Sequence, residues 1–254
     1  GIGYSNANVG GYAERMLLSE SLIVPVPNGL APTRAALTEP LAVGVHAVEK
    51  ARVQGDEVPL VIGCGPVGLA VIAALKLKKA AHPKLGPIIA ADFSPKRREL
   101  AIKMGADIVV DPGQTSAYAT WQQQAALPPV KDGKADLGLG GVPAFRQALI
   151  FECVGVPGVI DTIILGAPLF SRVVVVGVCV GPDQFLPAMA INKEIDLRFV
   201  RGYTPPEFRA TLHMLADGKV DPRPLITGTV GLDGFAGPSE VCVAIGRAAA
   251  RRPA

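Results

Sequence analysis

Only 19% of the 254 residues are charged and only 5% are aromatic. So little charge excludes a disordered chain or a solvent-laced coiled coil, both of which need far more ionised side chains. Basic residues barely exceed acidic ones, 25 against 22. They are scattered except at Lys96-Arg97-Arg98 and Arg251-Arg252, which argues against a nucleic-acid surface. No apolar run reaches the roughly 18–20 residues that a membrane helix needs. The opening GIGYSNANVGG lacks the basic and apolar regions of a signal peptide, so the expectation is a cytoplasmic protein with no membrane contact. The four cysteines, Cys64, Cys153, Cys179 and Cys242, never form C-x-x-C, and a structural zinc site built from this chain alone is not expected. Cys64, Cys153 and Cys179 read instead as small core-filling residues. The chain starts with Gly1 rather than Met, which raises the expectation that sequence is missing upstream.

What is abundant is apolar: 49% hydrophobic residues with 29 Gly and 23 Pro, a balance suited to buried strands joined by tight turns. From residue 58 a short apolar run, a turn and a helical stretch recur. VPLVI (58–62) leads into a helix over 66–79, PIIAA (87–91) into one over 95–104, and DIVVD (107–111) into a polar stretch around Trp121. ALIFEC (148–153) precedes a helix from about Val156, then RVVVVGV (172–178), and DLRFVRG (196–202) precedes a helix over 205–216. Strands apolar at every position are buried on both faces, and their alternation with helices implies parallel pairing through right-handed crossovers. The fold class is therefore α/β, a doubly wound parallel sheet of the Rossmann type. Residues 1–43 and 219–254 fall outside this rhythm and read as pieces of something else. Two insertions stand out, at 78–86 and as a loop at 131–143.

In VIGCGPVGLA (61–70) the glycines stand as G-x-G-x-x-G. The pattern alone is weak, but here it follows an apolar strand and opens a helix. Gly63 then permits the tight turn, Gly65 lets the backbone approach a pyrophosphate and Gly68 lets helix pack on strand. The unpaired N–H groups of that helix start attract phosphate, aided by the helix dipole. Asp92 lies 24 residues after Gly68, close to the spacing of about 20 for the acid that grips the adenosine ribose. Such a carboxylate favours NAD over NADP, although the basic run just downstream could accommodate a 2′-phosphate.

These stretches resemble the zinc-type medium-chain dehydrogenases of the alcohol, polyol, butanediol and threonine kind. The resemblance runs in order through GGYAERMLL (10–18), TEPLAVGVHAV (38–48), VIGCGPVGLA, ADFSPKRRELAIKMGAD (91–107), FECVG (151–155), VVVVGV (173–178) and YTPPEF through LITGTV (203–230), and stops at about Gly234. It implies a catalytic-domain remnant at 1–43, an NAD-binding Rossmann domain at 44–218 and a second catalytic-domain remnant at 219–254 with an atypical end. It also implies that Gly63, Gly65, Pro66, Val67 and Gly68 form the pyrophosphate loop and that Asp92 and Arg97 hold the adenosine ribose. Val154 and Gly155 would line the nicotinamide ribose, Val176, Gly177 and Val178 would meet the carboxamide, and Val43 would pack on the ring. For Val43, Val154 and Val176 plain core packing is an equal reading.

The resemblance makes Glu39 a ligand of the catalytic zinc, and a glutamate there leans toward a polyol-like substrate. Thr38-Glu39-Pro40 is also an ordinary helix start, with Thr as cap and an acid in the first turn. Zinc assists alcohol oxidation by holding the oxygen as an alkoxide while hydride passes to nicotinamide. In the family the remaining ligands and the proton relay come from the catalytic domain's early half, which this chain lacks, so the catalytic residues are unknown and zinc is expected absent or incompletely ligated. His46, His82 and His213 do not replace those ligands: His46 sits seven residues after Glu39, His82 reads as surface and His213 as a helix-face residue. The expected activity is NAD-linked oxidation of a secondary alcohol or polyol in the complete protein, as a homo-dimer or homo-tetramer joined through the DLRFVRG edge. Two alternatives stay open: a zinc-independent quinone or enone reductase, and a non-catalytic NAD(H)-binding module.

Overall fold

The computed structural model describes residues 15–27, 29–127 and 145–228. The loop expected at 131–143, Cys242, most of GGYAERMLL and the atypical C-terminal end lie outside them. The described residues fall into two compact units, one holding 15–26 and 226–228, the other running from Pro27 to Leu225. The first contributes a 3-10 turn, Glu20–Leu22.

The larger unit contains a six-stranded parallel sheet of β1 (Val58–Ile62), β2 (Ile89–Ala91), β3 (Ile108–Val110), β4 (Ala148–Glu152), β5 (Arg172–Val175) and β6 (Asp196–Phe199). Their spatial order is β3-β2-β1-β4-β5-β6. The helices are α1 (Pro32–Ala35), α2 (Thr38–Ala51), α3 (Pro66–Ala81), α4 (Pro95–Met104), α5 (Ala117–Ala125), α6 (Val159–Gly166), α7 (Pro187–Asn192) and α8 (Pro205–Ala216). Order and connections are those of a doubly wound Rossmann sheet, in which the crevice lies at the carboxyl ends where the strand order reverses, here between β1 and β4.

Burial explains why the strands read as unbroken apolar runs. On one face Leu60, Ile89, Ile150 and Val173 meet Trp121 of α5 and Ile163 and Ile164 of α6. Their sequence neighbours Val61, Ala90, Phe151 and Val174 are equally buried, and by strand alternation they face the other layer. That layer contains α2 and α3, which pack on each other and on the sheet, with α8 against α2. The edge strand β6 departs from the expectation of burial at every position: its residues are half-buried or exposed, and Phe199 is 67% exposed.

The differences from expectation have local causes. Helix α6 starts at Val159 rather than Val156, because Val156 precedes Pro157 and is held out of the helical region, and Gly158 enters at φ +84°. The stretch read as an insertion from Lys78 begins as the last turn of α3, which ends at Ala81. The short α7 was not expected. Helices α4 and α8 match their expected bounds, each opening on a proline in its first turn. Thr38 is not the cap of α2; it is the first helical residue, and its hydroxyl donates to the Ala35 carbonyl at 2.6 Å.

Candidate cofactor site at the carboxyl ends of the strands

The loop after β1 is built around two backbone approaches. Gly63 adopts φ +91°, a region that L side chains rarely enter, and its N–H donates to the Ala91 carbonyl at 2.9 Å. Gly68 lies so close to it that a Cβ there would stand 1.8 Å from the Gly63 oxygen. Gly65 is different, since a Cβ placed on it meets nothing within 4 Å. The space in front of α3 is therefore open at the point where a phosphate would approach. Pro66 is the first residue of that helix and no side chain caps it, which leaves first-turn N–H groups such as those of Val67 and Gly68 directed at that space.

Asp92, at the end of β2, is buried and bound to the loop. Its Oδ2 accepts the Cys64 N–H at 2.8 Å and its Oδ1 the Ser94 N–H at 2.8 Å. Each oxygen still has acceptor capacity. An Arg97 guanidinium nitrogen stands 3.6 Å from Oδ2. Arg98, which the sequence offers only as part of the basic run that could meet a 2′-phosphate, donates to the Asp92 and Phe93 carbonyls and pairs with Asp111 at 3.1 Å. It braces the turn that carries Asp92.

Across β1 the turns after β4 and β5 come together. Gly155 at φ +69° passes so close to the next turn that a Cβ would stand 2.6 Å from the Val178 nitrogen. Val154 is 43% and Val178 80% exposed, whereas Val176 is buried. Val43, in α2, is half-buried. Both turns are held by a residue missed in the sequence, Glu152, which is 1% exposed. Its Oε1 accepts the N–H groups of Val154 at 2.7 Å and Gly155 at 2.8 Å, and its carbonyl those of Val176 and Gly177. The signal was available: an acid in ALIFEC interrupts an otherwise apolar strand.

The remaining candidates lie apart. Glu39 is exposed in the first turn of α2. Among the described residues no three or more His, Cys, Asp or Glu side chains are grouped to hold a metal ion. His46 is buried and its Nδ1 lies 2.9 Å from Glu207 of α8, so it joins two helices. His82 is half-buried beside Gly55, and His213 is exposed. Cys64 and Cys153 are buried. Burial and then the Asp92 charge push the Cys64 thiol up to about 12, and burial with Glu152 pushes Cys153 well above its ordinary range. Neither is a thiolate nucleophile near neutral pH.

A family model described as zinc-binding dehydrogenase matches residues 66–217. The chain belongs to this family. Among its relatives, the (R,R)-butanediol dehydrogenase of Bacillus subtilis is 30% identical over 224 residues, covering 88% of this chain and 58% of that protein. The L-idonate 5-dehydrogenase (NAD(P)(+)) of Escherichia coli is 31% identical over 219 residues, covering 86% and 56%. The crystal structure of 2R,3R-butanediol dehydrogenase from Bacillus subtilis superposes with a TM-score of 0.68 at 27% identity, over 89% of this chain and 58% of that one. The chain thus spans somewhat more than half the length of these relatives. No helix among the described residues is long and apolar enough to cross a membrane.

Proposed function

We propose that this chain carries the NAD-binding portion of an alcohol or polyol dehydrogenase, an enzyme that moves hydride between a secondary alcohol or polyol and NAD. The observation that carries the reading is the contrast at the glycine loop, closed behind Gly68 and open in front of Gly65. A dinucleotide fits such a cradle: the α3 N-terminus and the Gly65 backbone receive the pyrophosphate, and Asp92 keeps lone pairs for the adenosine ribose hydroxyls beside Arg97. When bound, NAD supplies the hydride acceptor. With the adenosine half over β2, the strand order carries the other half across β1 toward Val154, Gly155, Val176, Gly177 and Val178, with Val43 as a candidate wall for the ring.

Residues 44–218 are proposed as the cofactor domain and 1–43 and 219–254 as parts of a catalytic domain. Glu39 would be one ligand of a catalytic zinc, and among the described residues no group of three or more His, Cys, Asp or Glu side chains forms around it. The substrate class follows the butanediol and idonate dehydrogenases to which the chain is similar. Self-association through β6 into a homo-dimer or homo-tetramer is supported by the strand's outer edge, which no other strand among the described residues pairs, and by exposed Phe199. A cytoplasmic setting is part of the same proposal.

Titration of the 254-residue chain with NADH and with NADPH, followed by nicotinamide fluorescence, tests the cradle. Saturable NADH binding at least tenfold tighter than NADPH is expected, on the order of 1.4 kcal/mol. A preference for NADPH turns the reading toward an enone reductase, and binding of neither removes it. The same chain is expected to form little or no NADH from butanediol and NAD; zinc-dependent turnover by it would overturn that part.

A further inference from the structure

Burying a carboxylate is costly unless its oxygens are hydrogen-bonded. Glu152 stands at the end of β4, where its neighbours Ile150 and Phe151 are buried and apolar, and no basic side chain among the described residues pairs with it. Its compensation is backbone. Two N–H groups from the turn after β4 converge on Oε1, while the Glu152 carbonyl takes two more from the turn after β5. Across the remaining gap Gly177 fits against the carboxylate so closely that a Cβ there would stand 2.6 Å from Oε2 and 2.4 Å from the Gly155 nitrogen.

We infer that Glu152 is a positioning residue that sets the two turns forming the nicotinamide end of the cofactor groove. The inference rests on the NAD-binding reading and goes beyond it. The placement follows from topology: a dinucleotide centred on the loop after β1, with its adenosine toward β2, must lay its second nucleoside over β4 and β5. The turns at that end are glycine-bearing and would move freely if nothing held their N–H groups. A charged acceptor holds them more strongly than a neutral one, since charge-assisted hydrogen bonds are about twice as strong. Asp92 does the same at the adenosine end through the Cys64 N–H, so each half of the groove has its own buried carboxylate.

The test compares NADH with ADP, which lacks the whole nicotinamide riboside, on the full 254-residue chain. Glu152→Gln keeps the size and one acceptor but loses the charge. It is expected to weaken NADH roughly tenfold and to leave ADP within about twofold of the native chain. Gly177→Ala attacks the same contact from the other side and is expected to give the same split. Equal weakening of both ligands, or unchanged NADH binding, overturns the inference. A native chain that binds neither ligand overturns the NAD reading itself, which keeps the two failures apart. Amide exchange of the native chain needs no variant. The Val154 and Gly155 amides are expected to be protected in the free protein, and exchange as fast as in an open loop would show that Glu152 does not hold them.

Discussion

The two ends of the sheet solve the problem of buried charge in opposite ways. At the amino ends, acids meet bases. Glu57, fully buried before β1, accepts the Gln54 and Gly55 N–H groups and pairs with Arg172 of β5 at 3.0 Å. Arg198 of β6 pairs with Asp196 and donates to the Lys50 and Ala51 carbonyls at the C-terminus of α2, where a cation suits the helix dipole. Lys193 likewise bonds the Ile164, Leu165 and Ala167 carbonyls at the end of α6, and the Trp121 indole donates to the Val58 carbonyl. At the carboxyl ends Asp92 and Glu152 instead spend most of their charge on backbone N–H groups, with Arg97 standing off at 3.6 Å from Asp92, and the first turn of α3 is left without a side-chain cap. One end is fastened; the other is shaped and left open for an anion.

Breaking the fastened end should cost stability without touching binding. Arg172→Leu leaves Glu57 buried without its guanidinium and should lower unfolding free energy by about 3–5 kcal/mol in a urea titration, with NADH affinity unchanged. Acid should do the same more gently. Burial pushes Glu57 up, but its N–H donors and Arg172 together outweigh this and hold it below its ordinary 4.5. Its contribution is therefore present above pH 4.5 and lost as pH falls through the lower folded value. Thermal melts of Glu57→Gln across that range should be flatter than those of the native chain.

At the open end two identical substitutions should behave in opposite ways. Gly68→Ala drives a Cβ into the Gly63 carbonyl and should cost about 3 kcal/mol of stability and abolish NADH binding. Gly65→Ala has room and an ordinary φ of −70°, so its melting temperature should stay put. The new methyl group nevertheless occupies the phosphate approach and should weaken NADH roughly tenfold or more. If Gly65→Ala binds normally, the open space is not a phosphate site.

Much of this was legible in the sequence where the signal is local. Apolar runs located all six strands, and proline at the helix start fixed α4 and α8, because each is a property of a few adjacent residues. The long-range pairs were not legible: Glu57 and Arg172 lie 115 positions apart and His46 and Glu207 161, and only the completed fold brings them together. Glu152 falls between these cases. Its oddity inside an apolar strand is local, but its partners belong to two turns that the strand order alone makes neighbours.

Asp92 tests whether a carboxyl-end acid does more than hold backbone. Asp92→Asn keeps one oxygen for an N–H donor but removes the charge that repels a 2′-phosphate beside Arg97. The ratio of NADPH to NADH dissociation constants should fall by about tenfold, with a loss of about 1–3 kcal/mol of stability because one of the two N–H groups that Asp92 accepts then faces an amide NH2. Loss of both ligands together would make Asp92 a brace alone.

The smallest effect is expected at Thr204, which follows β6 and so belongs by position to the open end. Its hydroxyl caps α8 by accepting the Glu207 N–H, while the Glu207 carboxylate returns to the Thr204 N–H and also meets His46. Burial pushes Glu207 up, but the Thr204 N–H and hydroxyl and then His46 bring it below its ordinary range. These polar groups are already spent on one another, as they are at the amino ends. Thr204→Ala should thus cost about 1 kcal/mol of stability and leave NADH binding alone. A loss of binding instead would mean that position along the strand, not how its charges are satisfied, decides what the open end contributes.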